Sequence, residues 1–280
     1  MIDEVTLFCF WGSGDVLNYT WAPREIKERI SKNIKVRILC RKNHHILFQN
    51  NKYVDEIVDV NENLAEQYKR IQTIGLYKNE INMWCLFPPK EIMDSSFWDI
   101  PWEVARNLNI FFKCDVFKKE DNFLPEIYYT DEDRKVVADF VQKNSPYIIV
   151  ETEFKSGQNR YSSNDIMSIF SKNIKNDKFK YFTSCFFTNV IEPFQNLSNF
   201  TLPQAGLIIE QSRAFYGMSS GLTVMSFERT LKELNRRIFA CHKPFWYDCV
   251  TKHNQCDKTI MISSDAYLNF TISDINKLDI

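Results

Sequence analysis

The sequence predicts an α/β protein made of two parallel-sheet domains, and three observations carry that prediction. Strand-like and helix-like runs alternate from the first residues. The same alternation begins again after "NFLPEIYYT". The 280 residues, 44% hydrophobic and 15% aromatic, suffice for two domains of about 130 to 150 residues, each with its own core.

"VTLFCFW" (5–11) opens the first domain as a strand of apolar and β-branched residues. A helix over 23–30 follows, with Pro23 at its first position, Ile26 and Ile30 on one face, and Glu25 four residues before Arg29. The strands "IKVRILC" (34–40) and "DEIVDV" (55–60), separated by a short helix, complete a βαβαβ series. Such alternation implies a parallel sheet covered by helices on both faces. Residues 79–123, with Trp84, Pro88, Pro89, Trp98 and Trp102, show no regular period, and no element is predicted there. Pro125 then breaks the chain, and Thr130-x-x-Asp133 opens a helix carrying Val136, Val137, Phe140 and Val141. The expected domains are residues 1–128 and 129–280.

The second series starts with the strand "YIIVET" (147–152) and a helix opened by Ser162-x-x-Asp165, with Ile166, Ile169 and Phe170 at helical spacing. "KYFTSCFF" (180–187) reads as a strand, "LPQAGLIIEQS" (202–212) as a helix and "RAFYGM" (213–218) as a strand. "LTVMSFERTLKEL" (222–234) follows as a helix burying Leu222, Met225 and Leu231, and "RRIFAC" and "TIMIS" add further strands. In such sheets ligands bind beyond the carboxyl ends of the strands, and two such domains in tandem create a cleft.

Thirty-five Lys and Arg against 36 Asp and Glu leave a formal net charge of -1. That balance supplies no field to hold a polyanion, so nucleic acid is not an expected partner. No apolar run is long enough to span a membrane, and "MIDEVTLFCFW" lacks the basic start and cleavage site of a signal peptide. The expectation is a cytoplasmic protein whose eight cysteines are reduced. Cys9, Cys40, Cys85, Cys114 and Cys185 sit in apolar runs and are read as core.

Chemistry enters where the first strand breaks into Gly12-Ser13-Gly14-Asp15. Two glycines let the backbone turn tightly at a strand's carboxyl end. A dinucleotide cradle does not fit, because Asp15 would face the pyrophosphate and no third glycine completes the fingerprint. Asp15 therefore reads as a general base, or more blandly as a helix cap. The phosphate site is expected at Ser219-Ser220-Gly221, where a turn precedes a helix. Glu151 and Glu153 flank Thr152 at a strand end, and alternation lets only one of the two acids face the cleft.

The stretches "LFCFWGSGDVLNYTWAPREIKERI" and "VRILCRKNHHILFQNNKYVDEIVDV" resemble the N-terminal half of heptosyltransferases and their relatives, the glycosyltransferase family 9 type of enzyme. In that family a first strand runs into G-x-G-D-[VI]-L. The segments around "PEIYYTDEDRKVVADFV", "YIIVETEFKSGQNRYSSNDIMSIF" and "LPQAGLIIEQSRAFYGMSSGLTVMSF" follow in the family's order, so the resemblance extends to about Phe227. It implies the GT-B fold, two Rossmann-like domains facing a cleft. It also implies inverting, metal-independent transfer of a sugar from a nucleotide-diphosphate donor to a hydroxyl of a glycan, lipid-linked or protein acceptor, with no cofactor and peripheral membrane contact allowed.

Carried over to this chain, the resemblance makes Asp15 the catalytic base and Gly12, Ser13 and Gly14 the acceptor-side loop. It puts Thr152, Arg160, Leu202, Ser219, Ser220 and Gly221 at the donor. The family's phosphate-loop lysine falls near Asn159, leaving Arg160 and Lys155 as the nearby cations. Two departures stand out: Ser219 occupies the place of the family's acid and Val224 that of its histidine. These separate the chain from the family's usual ADP-heptose donor. They also leave open a protein that kept the fold and binds a nucleotide or sugar without catalysis. Cys241, His242, Cys249, His253 and Cys256 are soft ligands, but their spacing matches no common zinc motif, and no metal is assigned. His44 and His45 are read as a polar helix start.

Overall fold

The computed structural model describes residues 2–9, 12–60, 79–82, 100–121, 123–152, 162–184, 190–218, 220–226, 237–241 and 259–279. These residues form two compact units, one made of those up to Tyr128 and one of those from Tyr129 onward.

The first unit is built on four parallel strands, β1 (Glu4–Cys9), β2 (Lys35–Cys40), β3 (Glu56–Asp59) and β4 (Glu80–Asn82), in the order β3-β2-β1-β4. Five consecutive residues of β1 and five of β2 are buried, as expected of central parallel strands covered on both faces. Arg37 in β2 crosses the sheet to Glu4 of β1 (2.6 Å) and Glu56 of β3 (3.0 Å), tying three strands near their amino ends. The carboxyl ends stay clear of that network.

Short helices follow the strands: α1 (Ser13–Leu17) after β1, α2 (Ala22–Glu25), and a 3-10 turn, Lys42–Leu47, after β2. The helix expected over 23–30 is present, but its second half, Ile26–Ile30, winds wider, with the Ser31 N–H reaching the Ile26 carbonyl. The Glu25–Arg29 pair forms at 2.7 Å, and Trp21 stacks on Phe123 at 4.3 Å between ring centroids. Arg24 bonds Glu126 at 2.7 Å and the Thr20 hydroxyl accepts from the Glu126 N–H, so the segment before Tyr128 is pinned to this unit. Among the described residues of the stretch without period lie β4 and the helix α3 (Ile100–Phe112).

The second unit holds six parallel strands: β5 (Tyr147–Val150), β6 (Lys180–Thr183), β7 (Phe194–Asn196), β8 (Ala214–Gly217), β9 (Arg237–Cys241) and β10 (Thr259–Ser263). Their spatial order, β7-β6-β5-β8-β9-β10, is the 3-2-1-4-5-6 order of a doubly wound sheet. The chain winds outward from β5 in one direction, then returns to lay β8 on the other side. The helices are α4 (Asp131–Asn144), α5 (Ser163–Asn173), α6 (Leu202–Glu210), α7 (Gly221–Met225) and α8 (Ser264–Ile275). Both anticipated capping boxes form: Thr130 with Asp133 opens α4 and Ser162 with Asp165 opens α5. A third, Thr201 with Gln204, opens α6. Ile166, Met167 and Phe170 of α5 pack with Tyr267 and Leu268 of α8 over Ile148, Val150 and Tyr216.

Some expectations need correction. The strand expected over 180–187 ends at Thr183, with residues 185–189 outside the described set. Cys9 and Cys40 are buried, opposed in register across β1 and β2, and free. Cys114 is only half-buried, because it follows the end of α3, where its thiol meets the Asn109 amide oxygen at 3.5 Å. His44 stands near the start of a 3-10 helix, as expected, but is folded inward to 2% exposure, and burial, aided by Arg41 and His45, lowers its pKa to about 4. Cys85, Cys185, Leu231 and the run from His242 to Cys256 lie outside the described residues.

Candidate active site

In a doubly wound sheet the ligand crevice opens at the carboxyl edge where strand order reverses. That point lies between β1 and β4 in the first unit and between β5 and β8 in the second. Gly12 to Asp15 lie at the first, and Thr152, Ser220 and Gly221 at the second.

In the first unit Gly12 is the N-cap of α1 and supplies no side-chain cap. Ser13, Gly14 and Asp15 are therefore the first three helical residues, and Asp15 is not the cap residue that its bland reading implied. Its carboxylate reaches back to accept the Gly12 N–H, the acid half of a capping box whose cap residue has no side chain. A Cβ on Gly12 would stand 3.3 Å from Asp15 Oδ2, so glycine gives the carboxylate its room. Burial lifts the Asp15 carboxyl to about 6, against the opposing pull of the Gly12 N–H. A base with that value is ionised at neutral pH, yet holds a proton far better than an ordinary aspartate.

One turn further on, Tyr19 is buried to 1% exposure, and its hydroxyl has no hydrogen-bond partner among the described residues. Burial pushes the phenol well up, and the nearby Asp15 carboxylate and Cys9 thiol push it further, so it keeps its proton.

In the second unit the strand β5 runs straight into Glu151, which is 2% exposed. Its carboxylate reaches across to the turn between β8 and α7. There it accepts from the Met218 N–H (2.9 Å), the Ser220 hydroxyl and the Thr223 hydroxyl (3.2 Å). Burial lifts this carboxyl to about 7, although all three donors pull it down. The sequence reading had left Glu151 without a role. The signal in the sequence is an acid placed directly after the apolar run Tyr147–Val150.

Ser220 is the N-cap of α7: its hydroxyl accepts from the Thr223 N–H at 3.2 Å while donating to Glu151. Gly221 is the first helical residue, so its N–H and that of Leu222 have no intrahelical acceptor. Thr152 is fully buried and its hydroxyl pairs with that of Thr183 at 2.7 Å, which leaves its backbone as what it can offer a donor. Leu202 is half-buried at the first position of α6. Arg160 and Ser219 lie outside the described residues, as do Lys155, Glu153 and Asn159. Among the described residues no group of three or more His, Cys, Asp or Glu is placed to hold a metal ion, and no helix is long and apolar enough to cross a membrane.

No protein-family model and no curated protein matches the sequence. Solved structures do match. A family 9 glycosyl transferase from Veillonella parvula DSM 2008 aligns with 99% of this chain and 90% of its own at 12% identity, with a TM-score of 0.62. The ADP-heptose lps heptosyltransferase II of E. coli aligns with 98% of this chain and 97% of its own at 12% identity, TM-score 0.64. The E. coli heptosyltransferase WaaC, solved with ADP-2-deoxy-2-fluoro heptose, aligns with 97% of this chain and 99% of its own at 8% identity, TM-score 0.57. At such identities the likeness is one of fold: the chain has the GT-B fold of these proteins, with two Rossmann-like domains.

Proposed function

We propose that the chain is a glycosyltransferase that moves a sugar from a nucleotide-diphosphate donor to an acceptor hydroxyl, with inversion and without a metal. The observation that carries this reading is Asp15, a carboxylate with a pKa raised to about 6 at the switch point of the first sheet, in a fold shared with heptosyltransferases. In the step we assign, the acceptor hydroxyl gives its proton to the Asp15 carboxylate and its oxygen forms a bond to the anomeric carbon. The bond from that carbon to the diphosphate breaks, and its electron pair leaves with the diphosphate. Gly12, Ser13 and Gly14 shape the acceptor side.

On the donor side the reading uses Ser220, Gly221, the backbones of Thr152 and Leu202, and the side chains of Arg160 and Ser219. Backbone N–H groups beside a cation compensate the charge of a leaving diphosphate without a metal. Binding of ADP-type nucleotides by structural neighbours supports a nucleoside diphosphate as the leaving group. Ser219 and Val224, standing where the family has an acid and a histidine, argue for a sugar other than ADP-heptose. We place the protein in the cytoplasm, in keeping with the free thiols of Cys9, Cys40 and Cys114. The same two departures favour one alternative, a nucleotide- or sugar-binding protein that keeps the fold without catalysis.

A thermal-shift screen with ADP, UDP, GDP and CDP tests the donor half. A nucleotide at 100 times its dissociation constant stabilises the native state by about 2.7 kcal/mol. At least one of the four is expected to raise the melting temperature, and no shift from any of them would refute the reading. Metal analysis of the purified protein, with transfer measured in chelator, tests metal independence.

A further inference from the structure

Among the described residues the Glu151 carboxylate is the most enclosed acid of the second unit, and nothing in the proposed transfer uses it. Its three donors come from consecutive parts of one turn, Met218, Ser220 and Thr223, while its own strand contributes none. Glu151 therefore spans the switch point, from the end of β5 to the turn after β8. Its backbone N–H also bonds the Tyr216 carbonyl at 2.8 Å, so both ends of the residue fasten β5 to β8.

We propose that Glu151 is the positioning residue of the donor turn, and that its ionised carboxylate and a diphosphate bound at Ser220–Gly221 exclude one another, so the donor binds with uptake of one proton by Glu151. The inference rests on the reading that this turn receives the diphosphate. The argument is electrostatic. The Ser220 hydroxyl that Glu151 holds belongs to the residue that caps α7, so an anion at this half-buried turn stands beside a carboxylate that is itself only 2% exposed. A negative charge brought beside a buried carboxylate disfavours its ionised form, and the cheaper of the two to neutralise takes a proton.

Among the described residues β8 and α7 present an N–H and two hydroxyls to Glu151, and no Lys or Arg. From α8 the Tyr267 phenol faces it, pushed up by burial and by the Glu151 charge itself, and bonded to the Tyr216 carbonyl at 2.9 Å. Asp274, also on α8, is engaged by the Tyr216 hydroxyl at 2.7 Å. A carboxyl already raised to about 7 sits where a small further push changes its charge.

The test uses the nucleotide among ADP, UDP, GDP and CDP that gives the largest thermal shift, titrated from pH 7 to 9, where its own phosphates are ionised. Wild-type affinity should weaken by about tenfold per pH unit, the slope of one linked proton. Glu151→Gln keeps the shape and the acceptor oxygen without the charge, and its affinity should change less than about threefold over the same range. Calorimetry of the wild type in two buffers of different ionisation heat should register uptake of about one proton at pH 8.5, with no variant needed. A wild-type affinity flat across this range with no proton uptake, or a Glu151→Gln variant with the wild-type slope, overturns the inference and leaves the proposed function standing. Failure of all four nucleotides to bind at any pH overturns that function and this inference with it.

Discussion

Asp15 and Glu151 occupy corresponding places in the two units, each beyond the first strand of its sheet at the edge where strand order reverses. Their surroundings differ. Asp15 is half-buried, takes one backbone N–H and has accepting capacity left over. Glu151 is enclosed and takes three donors from the turn opposite. A carboxylate with open capacity can receive a proton from a bound hydroxyl. One saturated with donors serves to hold a loop. On the proposed function, the fold uses one position twice, for chemistry in one unit and for architecture in the other.

The sharpest way to break this comparison is Asp15→Asn. The amide can still accept the Gly12 N–H, so the fold should survive, but it cannot take the acceptor proton. Turnover should fall by roughly 10²–10⁴-fold, while nucleotide affinity changes by less than about tenfold. Near-normal turnover in the variant would return Asp15 to a capping role and favour the binding protein. A pH profile sharpens the point: a base raised to about 6 should give transfer that increases as pH rises through 6 and then levels off. An acid limb near the ordinary carboxylate value would show that burial does not act on the working enzyme.

Truncation of the second carboxylate should show itself in stability instead. Glu151→Ala strands the Met218 N–H and two hydroxyls, and should cost about 1–3 kcal/mol in urea unfolding. Asp15→Ala, which frees one exposed N–H, should cost less than about 1 kcal/mol. Equal losses would erase the distinction. The pH dependence has a definite sign: both acids have folded values above their unfolded ones, so their neutral forms favour the native state. Their contribution to stability should be fullest below about pH 4 and should be lost as pH rises through 6 for Asp15 and 7 for Glu151. The Glu151 part should vanish in Glu151→Gln, which urea midpoints at pH 5 and 8 would reveal.

Two glycines extend the contrast. At Gly206 a new Cβ would stand 2.7 Å from Met225 Cγ, so Gly206→Ala should loosen α6 from α7 at a cost of about 1–3 kcal/mol. At Gly12, where φ is -62°, alanine fits the backbone but crowds Asp15. Gly12→Ala should therefore lower transfer and leave the urea midpoint nearly unchanged. The smallest effect belongs to Tyr19→Phe, which removes a buried hydroxyl lacking a partner among the described residues. Stability should hold or rise by under about 1 kcal/mol, and a clear loss would reveal a partner for that hydroxyl.

What could be read from the residue order is what local physics dictates. Apolar strand runs, helical spacing and the Thr130–Asp133 and Ser162–Asp165 boxes depend on neighbours a few residues apart, so the α/β alternation and the Gly12–Asp15 turn were visible. The resemblance in motif order pointed to the same fold. The three-residue strands β4 and β7 were not visible, because segments so short carry no period and exist only through the neighbours they pair with. The helix α3, in a stretch crowded with prolines and tryptophans, and the C-terminal helix α8 were missed as well. Nor did the residue order separate Glu151 from Glu153, bury His44, or oppose Cys9 to Cys40. Those outcomes depend on strand order and register, which bring together residues tens of positions apart, and burial then sets the charge each group can carry. Glu151 becomes a clamp only because β8 returns beside β5 and lays the Ser220 turn across its carboxylate.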